Sequence, residues 1–422
     1  MRKTKIFWSV VVLILLLSLS VFAAGQKEGA VEKTVKFAMW GGAIEKQTVE
    51  AYLEPFLTRN PDIKVEILTP PQYWDVIQTM VAGGTPPDIC YMGFPEFVDF
   101  HDKGAILNIQ KYADSSKIFD KNDFVPAHLA TFSDRESGEL YGVPKDWSTY
   151  VVYYNEDMFR NAGLQTPWEL YEKGEWTLDK FLEVAGILTN DKAHGLIFEP
   201  GRWKTFVPYF APDWIAGASD VKVNTREFIS AIDFVKDLSL KLKVSPTADQ
   251  LGDISAADRF SQQKGAMYII GRWMAMRYIK GNLPFKWNIA PMPVGKDGRA
   301  HTWVDMVAYS ILDGAKNPDI AWKIIEYLTG PEGQASVAKA GHAIPSRISV
   351  ANSDAFLKSV RPGFHNEAHL AIKDAQPVLV FNNWSRVWSV FGSKLDLVWT
   401  GQKSAEEACA EIQKEIDPLL KE

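Results

Sequence analysis

Cysteine is nearly absent: Cys90 and Cys409 are the only two among 422 residues. That is too few for a disulfide framework, and spacing alone establishes no bridge between them. Cys90 sits in a strand-like run and Cys409 in a helix-like run, so both are expected to be buried and unpaired. The usual catalytic signatures are missing as well. There is no His-Glu-x-x-His, no Gly-x-Ser-x-Gly, no P-loop and no dinucleotide glycine fingerprint. Charge of one sign is also lacking, with 46 basic against 52 acidic residues and a net of −6.

Only one long apolar run occurs, Ile6 to Leu17, behind Arg2, Lys3 and Lys5 and ahead of the small-residue site Val21-Phe22-Ala23. It is short for a spanning helix and reads as a signal peptide, residues 1–23, followed by a flexible lead-in over 24–33. Cleavage after Ala23 removes three positive charges and no acid, so the net of −6 becomes −9. Such a chain is a poor electrostatic partner for nucleic acid, whose binding rests on neutralising phosphates. No cysteine follows the apolar run, which argues against a lipid anchor. An exported protein, free in the periplasm or at the outer face of the membrane, is the expectation.

What the chain has is aromatic residues, 15 Trp, 14 Tyr and 23 Phe. Many belong to a core, because large rings dominate packing. The excess still favours ligands with flat apolar faces. The length exceeds what one core usually fills, so two domains are expected.

Residues 34–40 alternate and read as a first strand, with Trp40, Gly41 and Gly42 in the loop after it. A helix follows from Glu45 towards Thr58, then the alternating strand 63–68. Helical spacing over 73–82 sets Trp74, Ile77 and Val81 on one face. Ala82-Gly83-Gly84-Thr85-Pro86-Pro87-Asp88 stops that helix and leads into the strand 89–92. In open α/β sheets ligands meet the loops at strand carboxyl ends, which singles out Trp40, Gly41 and Tyr91. The stretch 140–156 places Lys145, Asp146 and Trp147 just ahead of a β-branched and aromatic run. A lysine, a carboxylate and an indole there are costly to bury without partners and point to a cleft. From Tyr150 to Leu420 the chain reads as predominantly helical.

Leu140-Tyr141-Gly142-Val143-Pro144-Lys145-Asp146 with Tyr153-Tyr154-Asn155, the run 82–88, the run 260–273 and Gly341-His342-Ala343-Ile344-Pro345-Ser346-Arg347 together resemble the bacterial extracellular solute-binding proteins. The resemblance is to the maltose-binding-protein-like, sugar-binding group, and it covers nearly the whole mature chain. It implies an α/β, type II periplasmic binding-protein fold of two lobes, each a β-sheet flanked by helices, joined by crossover hinge segments. The lobes would be 34–144 plus 300–347 and 145–299 plus 348–422. It further implies a monomer that captures a sugar or oligosaccharide and delivers it to ABC transporter permease subunits, with no cofactor, metal or catalytic residue. By resemblance Trp273 lies beside the bound sugar, and His342 is a structural or cleft-edge residue.

A pyranose offers an apolar C–H face, which suits indoles, and a hydroxyl rim, which suits charged side chains. Trp40, Tyr91, Trp147, Trp203, Trp273, Trp384 and Trp388 can supply the first. Lys145, Asp146, Glu199, Arg272 and Arg386 can supply the second. Glu199 and Trp203 belong to a turn-rich interruption, and interruptions at a cleft rim often set specificity. Trp384 and Trp388 are four apart and would share a helix face. The competing readings are a secreted glycosidase, which would need two carboxylates facing one bond, and a carrier of a non-sugar solute such as a phosphodiester.

Overall fold

The computed structural model describes residues 33–341, 343–370 and 381–422. The leader, nearly all of the lead-in and His342 lie outside them. Strand β1 (Lys33–Ala38) pairs in parallel with β2 (Ile63–Leu68) and with β3 (Ile89–Gly93). Helices α1 (Ala43–Arg59) and α2 (Tyr73–Ala82) make the crossovers, as βαβ units require. Helix α3 (Phe94–Asp102) leaves directly from the end of β3.

The long strand β4 (Gly142–Asn155) is the spine of the molecule. Its first half, to Thr149, pairs antiparallel with β10 (Val304–Ile311), and β10 in turn pairs with β3. From Tyr150 onward β4 pairs instead with β8 (Gly265–Gly271) and β9 (Trp287–Ala290). Beyond β8 lies β5 (His194–Ile197), in parallel, and β11 (Ile344–Pro345) adds to the first half of β4. The sheet order is therefore β2-β1-β3-β10-β4-β8-β5. A separate hairpin joins β6 (Ile215–Gly217) to β7 (Asp220–Val221).

The second half of the chain is less helical than its pattern indicates, because β5 and β9 are four residues each and too short to show a period of two. The strands from both halves of β4 are almost wholly buried and covered on both faces. Helix α4 (Leu178–Leu188) starts where Thr177 accepts a hydrogen bond from the Lys180 amide, the N-cap its sequence calls for. Two C-terminal helices, α5 (Trp384–Trp399) and α6 (Ala405–Leu419), close the far side. Cys90 and Cys409 are both buried and free.

Candidate functional site

A cavity of about 1050 Å³ opens where the carboxyl ends of β1 and β3, the middle of β4 and the start of β10 converge. It lies at the top of the about 300–1,000 Å³ range usual for small-molecule sites. Trp40, Trp74 and Tyr91 form one wall. Trp40 meets Trp74 at 5.5 Å between ring centroids and Tyr91 edge-on at 5.3 Å. Trp273 and Trp303 stand on other sides, and Trp147 is tethered by a 3.2 Å hydrogen bond from its Nε1 to the Pro345 carbonyl.

Strict alternation would send Lys145, Asp146 and Trp147 to opposite faces of β4. The register slips here instead: Val307 faces Asp146 and Ala308 faces Pro144, leaving Lys145 as the extra residue of a bulge. A bulge re-aims side chains, and all three consecutive residues reach the cavity. Lys145 and Asp146 are buried and form an ion pair, and the Lys145 ammonium lies 4.7 Å from the centre of the Tyr91 ring. Burial pushes the Asp146 carboxyl up, and the charge of Lys145 holds it down in part.

Gly41 is exposed and outside the cavity lining, yet it serves the site. Its φ of +116° is open to glycine, and a Cβ there would stand 2.3 Å from the Glu45 Oε2. Glu45, in the first turn of α1, lines the cavity and is pushed up to about 7, chiefly by burial. Glu96, in the first turn of α3, reaches about 7 for the same main reason.

The opposite wall rests on a chain of hydrogen bonds. Asp305 accepts from Trp303 Nε1 at 2.7 Å and from the Tyr150 hydroxyl at 2.9 Å. Tyr150 accepts from Arg202 Nη1 at 2.9 Å, and Arg202 Nε donates to Glu199 at 2.9 Å. Glu199 also accepts from the Tyr268 hydroxyl at 2.9 Å, so it stands behind the wall as the anchor of Arg202. In the short 3₁₀ segment Pro200–Thr205, successive residues diverge: Arg202 turns to Tyr150, Trp203 to the core and Lys204 to the cavity.

Of the residues picked from sequence, the cavity gathers Trp40, Tyr91, Lys145, Asp146, Trp147 and Trp273. Seven others, Gly41 among them, lie elsewhere. Arg272 is wholly buried, its guanidinium spent on the Gly341 carbonyl at 2.6 Å and the Ser359 hydroxyl at 3.0 Å. Trp203 is buried and stacks on Trp388 at 5.4 Å and Phe391 at 5.3 Å. Trp384 is buried and stacks on Phe381 at 4.2 Å and Trp388 at 5.1 Å, so the shared face of α5 looks into the core. Arg386, on the opposite face, is exposed and paired with Glu422. Glu199 backs the wall as described.

Glu45, Trp74, Glu96, Lys204, Trp303 and Asp305 line the cavity without having been singled out. The helical spacing sets Trp74 on one face of α2 with Ile77 and Val81, but the buried residues are Tyr73 and Ile77, and Trp74 sits about 100° around from Tyr73. Tryptophan at an element start is the one signal that could have found Trp74 and Trp303. Nothing local marks the acids or Lys204.

Residues 42–335 match the family model described as bacterial extracellular solute-binding protein. The galactooligosaccharide-binding protein of Bacillus subtilis is 21% identical over 416 residues, covering 95% of this chain and 94% of that one. The sn-glycerol-3-phosphate-binding periplasmic protein UgpB of Salmonella typhimurium is 24% identical over 407 residues, 87% of each chain. Maltose-bound T. maritima MalE3 superposes with a TM-score of 0.81 at 21% identity, covering 92% of this chain and all of that one. A family match over more than two thirds of the length, on a fold shared end to end with a solved binding protein, makes this chain a member of the bacterial extracellular solute-binding proteins.

Proposed function

We propose that the cavity captures a sugar, an oligosaccharide spanning more than one ring, and passes it unaltered to the permease of an ABC importer after export. The observation that carries this reading is the composition of one wall-to-wall surface. Indoles Trp40, Trp74, Trp147, Trp273 and Trp303 alternate there with the carboxyls of Glu45, Glu96 and Asp305 and the ammonium of Lys204. Flat rings take the C–H faces of pyranoses, and the charged groups take hydroxyls through strong hydrogen bonds. The residue ranges 34–144 plus 300–347 and 145–299 plus 348–422 would act as two lobes that close on the ligand about the crossovers.

A phosphate ester is the reading that the glycerol-phosphate relative raises. It would call for a cluster of uncommitted bases, and here Lys145 is spent on Asp146 and Arg277 on Asp258. A glycosidase reading could draft Glu45 and Glu96, but cleft acids serve equally well as hydroxyl acceptors. The deciding experiment is a thermal-shift screen of the mature protein against neutral mono- and oligosaccharides, glycerol 3-phosphate and buffer. A neutral oligosaccharide far above its dissociation constant should raise the melting temperature and be recovered intact. The Trp273→Ala variant should keep the fold and lose the shift. A response to glycerol 3-phosphate alone, or cleavage of the sugar, refutes the proposal.

A further inference from the structure

Among the described residues, Lys204 is the cationic group of this cavity without an ion-pair partner. Its ammonium lies 4.2 Å from the centre of the Trp303 ring and 4.5 Å from that of Trp388, gripped between two indole faces. Among the described residues no carboxylate comes within ion-pairing distance of it, whereas Lys145 and Arg277 each have one. The two indoles fix where the charge sits, but a π face satisfies none of the three N–H donors. Lys204 lines the cavity, so a ligand bound there is placed to supply acceptors for those donors.

Asp305 and Glu96 line the same cavity as Lys204, and their fields reach it against that of Arg202. Both Asp305 oxygens already accept hydrogen bonds, from Trp303 and Tyr150, which hold that carboxylate in place. A ring hydroxyl beside Lys204 can accept from the ammonium and donate to one of these carboxylates, using both of its capacities. A ligand carboxylate in the same place would gain the ammonium but face the like charge of Asp305.

We propose that Lys204 is a ligand-contacting specificity residue, its ammonium donating to ring hydroxyls of an uncharged saccharide while Asp305 turns uronates away. This rests on the sugar-carrier reading above. The test is calorimetric titration of the full mature protein with a panel of neutral di- to tetrasaccharides, maltotriose included, and with trigalacturonate. Lys204→Met keeps the stem between the indoles and removes the donors. It should weaken binding of the neutral ligand about ten- to hundredfold, the usual worth of a hydrogen bond to a charged group, with an unchanged melting temperature of the unliganded protein. Lys204→Gln, which keeps donors without charge, should fall between the two and serves equally if the Met variant does not fold. Equal affinity of wild type and variant for the neutral ligand overturns the inference and leaves the carrier reading standing. Tighter binding of trigalacturonate than of any neutral sugar also overturns it. Failure of the wild type to bind any saccharide sinks the carrier reading, and this inference with it.

Discussion

Glu45 and Glu96 are carboxyls with an ordinary value of 4.5 that burial beside indoles lifts to about 7. In the unliganded protein each therefore holds its proton more tightly folded than unfolded. Their contribution to stability is complete below about 4.5, declines as pH rises and is lost once pH passes about 7. Thermal melts of wild type and Glu96→Gln should lie nearest each other at the lower limit and separate as pH rises, the wild type falling away from the flatter variant. Parallel curves would mean that the Glu96 side chain is no more buried than a surface acid. Nothing in the sequence marks this charge chemistry, since both residues stand in the first turn of a helix, an ordinary place for an acid. By contrast Lys145, Asp146 and Trp147 were legible, because polar groups beside a strand destined for burial demand a purpose. What could not be read was how three consecutive residues share one cavity, since that depends on the bulge opposite Val307 and Ala308.

Helices α1, α2 and α4 and strands β1 to β3 lie close to where spacing and turn residues put them, because each has a full period or a capping residue to declare it. Strand β4 instead begins at Gly142, well ahead of the apolar run that marks it, because the bulge at Lys145 hides its alternation. Trp384 and Trp388 show where that legibility stops. Their four-residue spacing does place them on one face, with rings 5.1 Å apart and 8° from parallel. Which way the face points is decided by Trp203, Phe381 and Phe391, contributed by distant segments. Trp384 also touches Phe94, which lines the cavity, so the stack braces the wall from behind. Trp384→Ala should accordingly cost about 3–5 kcal/mol in a denaturant titration, as deletion of a buried large aromatic does. A residue facing ligand would instead leave stability within about 0.5 kcal/mol and change affinity. A loss of affinity without loss of stability would return Trp384 to the binding surface.

Across the whole molecule, β4 carries the sheet from β10 to β8 and β9, changing partners at Thr149 and Tyr150 beside the cavity. If the two residue ranges close as proposed, that level is where they would turn. Addition of the saccharide found in the thermal screen should shrink the radius of gyration in X-ray scattering and leave the mass that of one chain. An unchanged radius at saturating ligand would speak against closure. The ligand itself should contribute about 2.7 kcal/mol of stability at a hundred times its dissociation constant.

Periodicity, turn chemistry and a few signature runs determined the α/β class, the order of most elements and the family, because these depend on local spacing and on backbone-restricting residues such as Pro and Gly. They also delivered six of the residues that meet in the cavity. Only the tertiary structure decided which indoles face solvent and which the core, and which charges are already spent. Trp203, Arg272 and Trp384 have the same chemistry as Trp273 and Lys204. Their partners, Phe391, Gly341 and Phe381, arrive from far along the chain, and a side chain's role follows from what it is left free to touch.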